Sequence, residues 1–216
     1  MKKTILATIF SVFYFASVSA EIGVNVGVSG NVGIFAGSGV ENVAGGTGSD
    51  NRNEGSEHGE AGWGSVFIEK TLGDRLAIGV DYVPASLETE TTEAVRQDHG
   101  VGALENKVQI DFEDLTTLYV VLKANDNFYI KAGLMEVDVI TNESLGTGST
   151  YGNTSLDGTM LGFGYNNTFG NGMFVRAETN YMDFDSEKLT STSNSNTVEI
   201  SQLHGVSAKL SVGKSF

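Results

Sequence analysis

The 216 residues contain no cysteine, so no disulfide staples the fold and no lipid-anchored cysteine follows a leader. A single proline, Pro84, leaves almost the whole chain able to donate backbone N–H groups to a ladder, and Pro84 itself suits the edge of a loop. Cations are scarce: 13 Lys and Arg stand against 27 Asp and Glu, a formal charge of −14. So acidic a surface repels phosphate backbones, which excludes a DNA or RNA partner. Beyond the N terminus there is no second apolar run of the kind that makes a membrane helix, which takes ~20 residues.

What the N terminus does have is the three-part layout of an export leader. Lys2 and Lys3 are basic, Thr4 to Phe15 is apolar, and Ala16-Ser17-Val18-Ser19-Ala20 supplies small residues before a cut after Ala20. The apolar run is too short to span a bilayer of ~30 Å, so residues 1–20 read as a cleaved signal peptide. Loss of Lys2 and Lys3 takes the charge from −14 to −16, and residues 21–216 remain as one domain.

Those residues alternate. In Ile22–Phe35, Ile22, Val24, Val26, Val28, Val32 and Ile34 share one face, and Gly23, Asn25, Gly27, Ser29 and Gly33 the other. Period-two patterning of this kind marks a strand between an apolar and a polar environment. Gly62–Leu72 sets Val66 and Ile68 against Ser65, Phe67 and Glu69; a third strand sets Leu76, Ile78, Val80 and Tyr82 against Ala77, Gly79 and Asp81. Lys107–Ala124 turns Val108, Ile110, Phe112, Leu118, Val120 and Leu122 outward, with Lys107, Gln109, Asp111, Glu113, Thr117, Tyr119 and Lys123 inward. Phe128, Ile130, Ala132 and Leu134 oppose Tyr129, Lys131 and Gly133; Leu161, Phe163 and Tyr165 oppose Met160, Gly162, Gly164 and Asn166. Met173, Val175, Ala177, Thr179 and Tyr181 oppose Arg176, Glu178 and Asn180, and the last strand sets Val206, Ala208, Leu210 and Val212 against Ser207, Lys209, Ser211 and Gly213.

The connections alternate too. Long polar loops are expected at Gly37–Glu60, Pro84–Asn106, Thr141–Leu156 and Asp185–Asn196, and tight turns at Gly73-Asp74, Asn125-Asp126-Asn127 and Gly170-Asn171-Gly172. Short turns on one side and long loops on the other are the asymmetry of outer-membrane barrels. A mean hydropathy of −0.06 fits lipid-facing and lumen-facing residues that cancel. The reading is all-β: an eight-stranded antiparallel up-and-down transmembrane β-barrel, closed because hydrocarbon tolerates no open edge.

At Leu156-Asp157-Gly158-Thr159-Met160-Leu161-Gly162-Phe163-Gly164-Tyr165 and Phe174-Val175-Arg176-Ala177-Glu178-Thr179-Asn180-Tyr181 the chain resembles the small outer-membrane barrels of the OmpA transmembrane domain, OmpX and opacity-protein group. Lys214-Ser215-Phe216 resembles their assembly signal, which makes the barrel-insertion machinery an expected partner and Phe216 its recognition residue. The resemblance implies a Gram-negative outer membrane, contact with its lipids and lipopolysaccharide, and a structural or surface-interaction role such as adhesion or membrane integrity. It departs from full-length OmpA because no periplasmic peptidoglycan-binding domain follows. A monomer is expected, with outside loops free for a cell-surface or host ligand.

Inward charges of both signs converge on the expected lumen: Glu69, Asp81, Lys123, Lys131, Arg176, Glu178 and Lys209, together with Asp111 and Glu113. Eight strands enclose room for little beyond side chains, so these form a salt-bridged polar plug. Inward Gly79, Gly133, Gly162, Gly164 and Gly213 keep open the alternative of water-filled gaps and a narrow channel for small solutes or ions.

Catalysis is not expected. By parity His204 faces lipid and Ser207 the lumen, so base and nucleophile cannot meet, and His58 and His99 fall in loops. The acidic groups Glu54, Glu57, Glu60; Glu88, Glu90, Glu93; and Asp183, Asp185 could bind divalent cations that bridge to lipopolysaccharide, yet no twelve-residue calcium loop is present. They read as solvated loops, with no metal or cofactor expected. Trp63, Tyr82, Tyr181 and Phe184 are expected as an outer aromatic girdle, and Phe128, Phe169 and Phe216 as an inner one.

Overall fold

The computed structural model describes residues 23–44, 52–98, 102–146 and 148–216; the leader, its cut after Ala20, and His99 lie outside the described residues. Eleven strands follow in order: β1 (Val24–Asn42), β2 (Arg52–Leu72), β3 (Leu76–Tyr82), β4 (Leu87–Glu88), β5 (Thr92–Asp98), β6 (Gly102–Lys123), β7 (Phe128–Leu145), β8 (Thr154–Thr168), β9 (Met173–Phe184), β10 (Glu187–Thr190) and β11 (Thr197–Ser215). Eight of them, β1, β2, β3, β6, β7, β8, β9 and β11, pair antiparallel with their neighbours, and β1 pairs β11 to close the ring. Closure gives each of these eight strands a neighbour on both sides, so that no strand of the ring presents an open edge to hydrocarbon along its whole length.

Alternation sets the two faces. Val26, Val28, Val32 and Ile34 point out from β1, Leu161 and Phe163 from β8, and Val206, Leu210 and Val212 from β11, all exposed. Val26 to Ile34 covers about 26 Å along the strand and, at a tilt of about 40°, about 20 Å of height, most of a ~25 Å lipid band. The short turns close the lower end. Gly73 and Gly172 take φ of 70° and 80°, values that L side chains resist. Between β6 and β7 the Asn125 side chain accepts from the Asn127 and Phe128 N–H groups at 2.9 and 2.8 Å.

Above the band the wall departs from expectation. Residues read as long loops are largely laddered: β1 and β2 stay paired to Asn42↔Arg52, β1 and β11 to Asn42↔Thr197, and β10 adds a further strand on β11. β4 and β5 continue along one edge of β6, while β7 follows its other edge up to Leu145↔Asn106. Backbone pairing needs no apolar side chain, so Gly-, Ser- and Glu-rich sequence forms ladder once the neighbouring strand is in register. Three connections then knot together: Ser149 and Asn196 share a hydrogen bond of 2.9 Å, the Thr150 N–H donates to Ser191 Oγ, and the Ala44 N–H donates to Asn196 Oδ1.

A bulge changes which side chains face in. The register of β6 on β7 shifts between Glu113 and Thr116, and Asp114 takes a positive φ of 55°. The extra residue inverts parity above it. Ile110 and Phe112, expected on the lipid side, pack against the interior cluster, and Asp111 and Glu113, expected inside, take the opposite face. A second shift at Ser38/Gly39 does the same on β11, turning Ile200 inward.

Candidate functional site

The interior is where charged side chains are gathered out of water, and it divides by height. Its lower half is polar. Three ion pairs cross the lumen between strands that are not neighbours: Arg176 Nη1 to Glu69 Oε2 at 2.6 Å, Lys131 Nζ to Glu178 Oε1 at 2.5 Å, and Lys209 to Asp81. Glu69, the deepest carboxylate at 0% exposure, also accepts from Asn25 Nδ2 at 3.2 Å. Arg176 Nε donates to Asn166 Oδ1 at 3.0 Å. The guanidinium carbon lies 4.5 Å from the Phe174 ring centre, and Lys131 Nζ lies 4.8 Å from that of Tyr119. A charge so desolvated is tolerable only when paired and faced by such donors, acceptors and rings.

The inward glycines seat these rings. Where a Cβ would sit on Gly164 lies the Tyr129 ring; Gly213 receives Phe174, Gly27 receives Phe67, and Gly79 receives Tyr119. Gly162 is filled by Asn180, and Gly133 abuts Thr117. The space beside these glycines, which the channel alternative would leave to water, is occupied by side chains. The glycine on one strand makes room for a large side chain on the next, and the lumen gains filling rather than space.

The upper half is apolar. Trp63, Met135, Val137, Val139, Leu156, Met160, Met182 and Phe184 form a buried cluster, backed by Phe35, Phe112, Leu115 and Leu203. Leu156 is 1% exposed. The plug expected to be polar is thus polar only below, and Trp63 and Phe184, expected in the outer girdle, are part of its apolar roof. Tyr82 and Tyr181 do face outward at that height, and Phe128, Phe169 and Phe216 face outward at the lower end.

Of the charged residues expected inside, Glu69, Asp81, Lys131, Arg176, Glu178 and Lys209 lie in the lumen as three ion pairs. Lys123 stands apart, half-buried at the lower end of β6 beside the turn. Phe216 is 72% exposed at the lower rim, and its backbone exchanges hydrogen bonds of 2.8 and 3.1 Å with Val24. His58 and His204 flank Ala36 on the outward face, the latter with its ring 6.4 Å from Tyr181. Ser207, 3% exposed, lies on the opposite face, so no nucleophile and base meet there. The apolar roof was missed because its residues come from seven strands and depend on bulges; the inward parity of Met160 on β8 and of Met135, Val137 and Val139 on β7 hinted at it.

No family model matches the chain, and no curated protein matches its sequence. Solved structures do. The outer membrane protein OprG of Pseudomonas aeruginosa superposes with a TM-score of 0.52 at 12% identity, covering 91% of this chain and 96% of its own. The outer membrane protein AlkL, solved in lipid bilayers, gives a TM-score of 0.54 at 14% identity and covers 93% of each chain. The chain has the fold of a small outer-membrane β-barrel. Its lipid-ready band and two-sided loop asymmetry are those of such a protein, and the resemblance to that class holds at the level of fold.

Proposed function

We propose that the protein is a non-enzymatic outer-membrane anchor that holds a stiff acidic β-platform outside the cell for surface contact. The observation that carries this reading is the filled lumen: ion pairs and ring-seated glycines below, an apolar roof above. A wall so filled favours load-bearing over passage. The platform is the laddered extension of β10, β11, β1 and β2, whose outer strand is exposed from Arg52 to Glu60. The outward His204 and inward Ser207 favour a role without hydrolysis. Phe216 serves insertion, its ring exposed at the lower rim; deleting it should lower the folded fraction seen on unboiled detergent gels, and normal insertion would count against this role.

The test replaces residues 39–55 with a two-residue Asn-Gly turn, leaving the membrane band untouched. Expressing cells should lose adherence and autoaggregation while solute uptake in a porin-deficient strain stays at background. Intact adherence, or uptake that rises with expression of the full chain, would overturn the reading.

A further inference from the structure

Just above the apolar band, the first charged residue on the outward face is a carboxylate on five ring strands: Glu60 on β2, Asp114 on β6, Glu136 on β7, Asp157 on β8 and Asp183 on β9. Register makes this more than a charged rim. Glu136 stands directly opposite Asp157, and Glu113 directly opposite Asp138. Like charges facing one another across a sheet, with Cβ atoms about 5 Å apart, destabilise it. A second observation concerns Glu136 itself. It points away from the interior, between inward Met135 and Val137, yet is only 6% exposed, and its Oε2 is buried with no hydrogen-bond partner. A desolvated carboxylate beside another carboxylate calls for a cation.

We propose that the outward face of β7 and β8 at Glu136 and Asp157 binds a divalent cation, Mg²⁺ or Ca²⁺, shared with the phosphates of lipopolysaccharide. Such hard ions take six or more oxygen ligands. Among the described residues no group of three or more Asp, Glu or His side chains could hold a metal alone, so two protein carboxylates leave most of the coordination to the lipid. Height supplies the partner: outward Leu134, 65% exposed, lies immediately below Glu136, and outward Leu161, 62% exposed, lies below Asp157 past Thr159, which puts the pair where lipid gives way to headgroup. Tyr82, whose hydroxyl donates to Asp114 Oδ1 at 2.6 Å, marks the same boundary on β3. Phosphate and carboxylate repel unless a cation lies between them. The inference rests on the chain spanning an outer membrane.

The full chain is folded into phosphatidylcholine vesicles containing either diphosphoryl lipid A or its dephosphorylated form. Thermal unfolding is followed by loss of the fast-migrating unboiled band, with chelator or with millimolar Mg²⁺. With diphosphoryl lipid A, Mg²⁺ should raise the midpoint by several degrees; dephosphorylated lipid A should abolish the shift. The Glu136→Gln/Asp157→Asn variant should lose the shift yet melt above the parent chain in chelator, because its like-charge pair is gone. Glu136→Gln alone, nearly isosteric, serves if the double variant does not fold, and Glu54→Gln should keep the full response. An unchanged shift in the variants, or an equal shift without lipid phosphate, would overturn the proposal. Absence of any fast-migrating band from the parent chain would instead sink the membrane-barrel reading beneath it.

Discussion

The lower and upper halves of the lumen solve one problem, filling a narrow barrel, by opposite means. Below, six charged side chains are matched into three pairs, and each pair ties strands that share no ladder. Above, the same inward positions carry Trp, Met, Leu, Val and Phe, and no partner has to be in any one place. The polar half is all-or-none, since a charge that loses its partner is stranded without water. The apolar half is graded, since each lost methylene costs its own area and cavity. The difference predicts that the lower half enforces strand order and the upper half supplies bulk stability.

The contrast breaks most sharply at Glu69. Glu69→Ala leaves the Arg176 guanidinium buried without its carboxylate and should cost about 3–5 kcal/mol in urea unfolding of the detergent-folded barrel. Removing Arg176 in the same chain should recover most of that loss, and equal damage from single and double variants would contradict the all-or-none character. In the roof, Leu156→Ala should cost about 2–5 kcal/mol with no partner able to rescue it, measured in the same way. The smallest effect belongs to the seats between rings. Gly164→Val must push the Tyr129 ring aside and should cost about 1–3 kcal/mol, while Gly164→Ala in a Tyr129→Leu background should cost less than in the parent.

Much of the wall was legible from the chain alone, because period-two patterning is a local property and lipid enforces it without exception. Val26 to Ile34 in β1, Phe128 to Leu134 in β7, and Val206 and Leu210 in β11 could be assigned outward for that reason. Three things were not local. The bulge at Asp114 inverts parity over Gln109 to Glu113, and nothing in its immediate sequence betrays it: Glu113, Asp114 and Leu115 read as ordinary strand. The stretches Gly37–Asn42 and Arg52–Glu60 have loop composition, yet each finds a neighbour already in register. The seats at Gly164 and Gly213 depend on Tyr129 and Phe174 lying on adjacent strands, which spacing along the chain does not reveal. Charges in the lumen were easier, since Lys131, Arg176, Glu178 and Lys209 sit on inward parity in the least ambiguous strands, but their pairing across the barrel needed the closed ring.

Conductance tests the filled, two-part lumen most directly. The purified chain, inserted into planar bilayers, should show no reproducible unitary steps, and Gly164→Ala should leave the membrane equally silent because the Tyr129 ring already fills the space beside Gly164. Regular unitary steps from the parent chain, reduced in size when Gly164 is enlarged, would contradict the account.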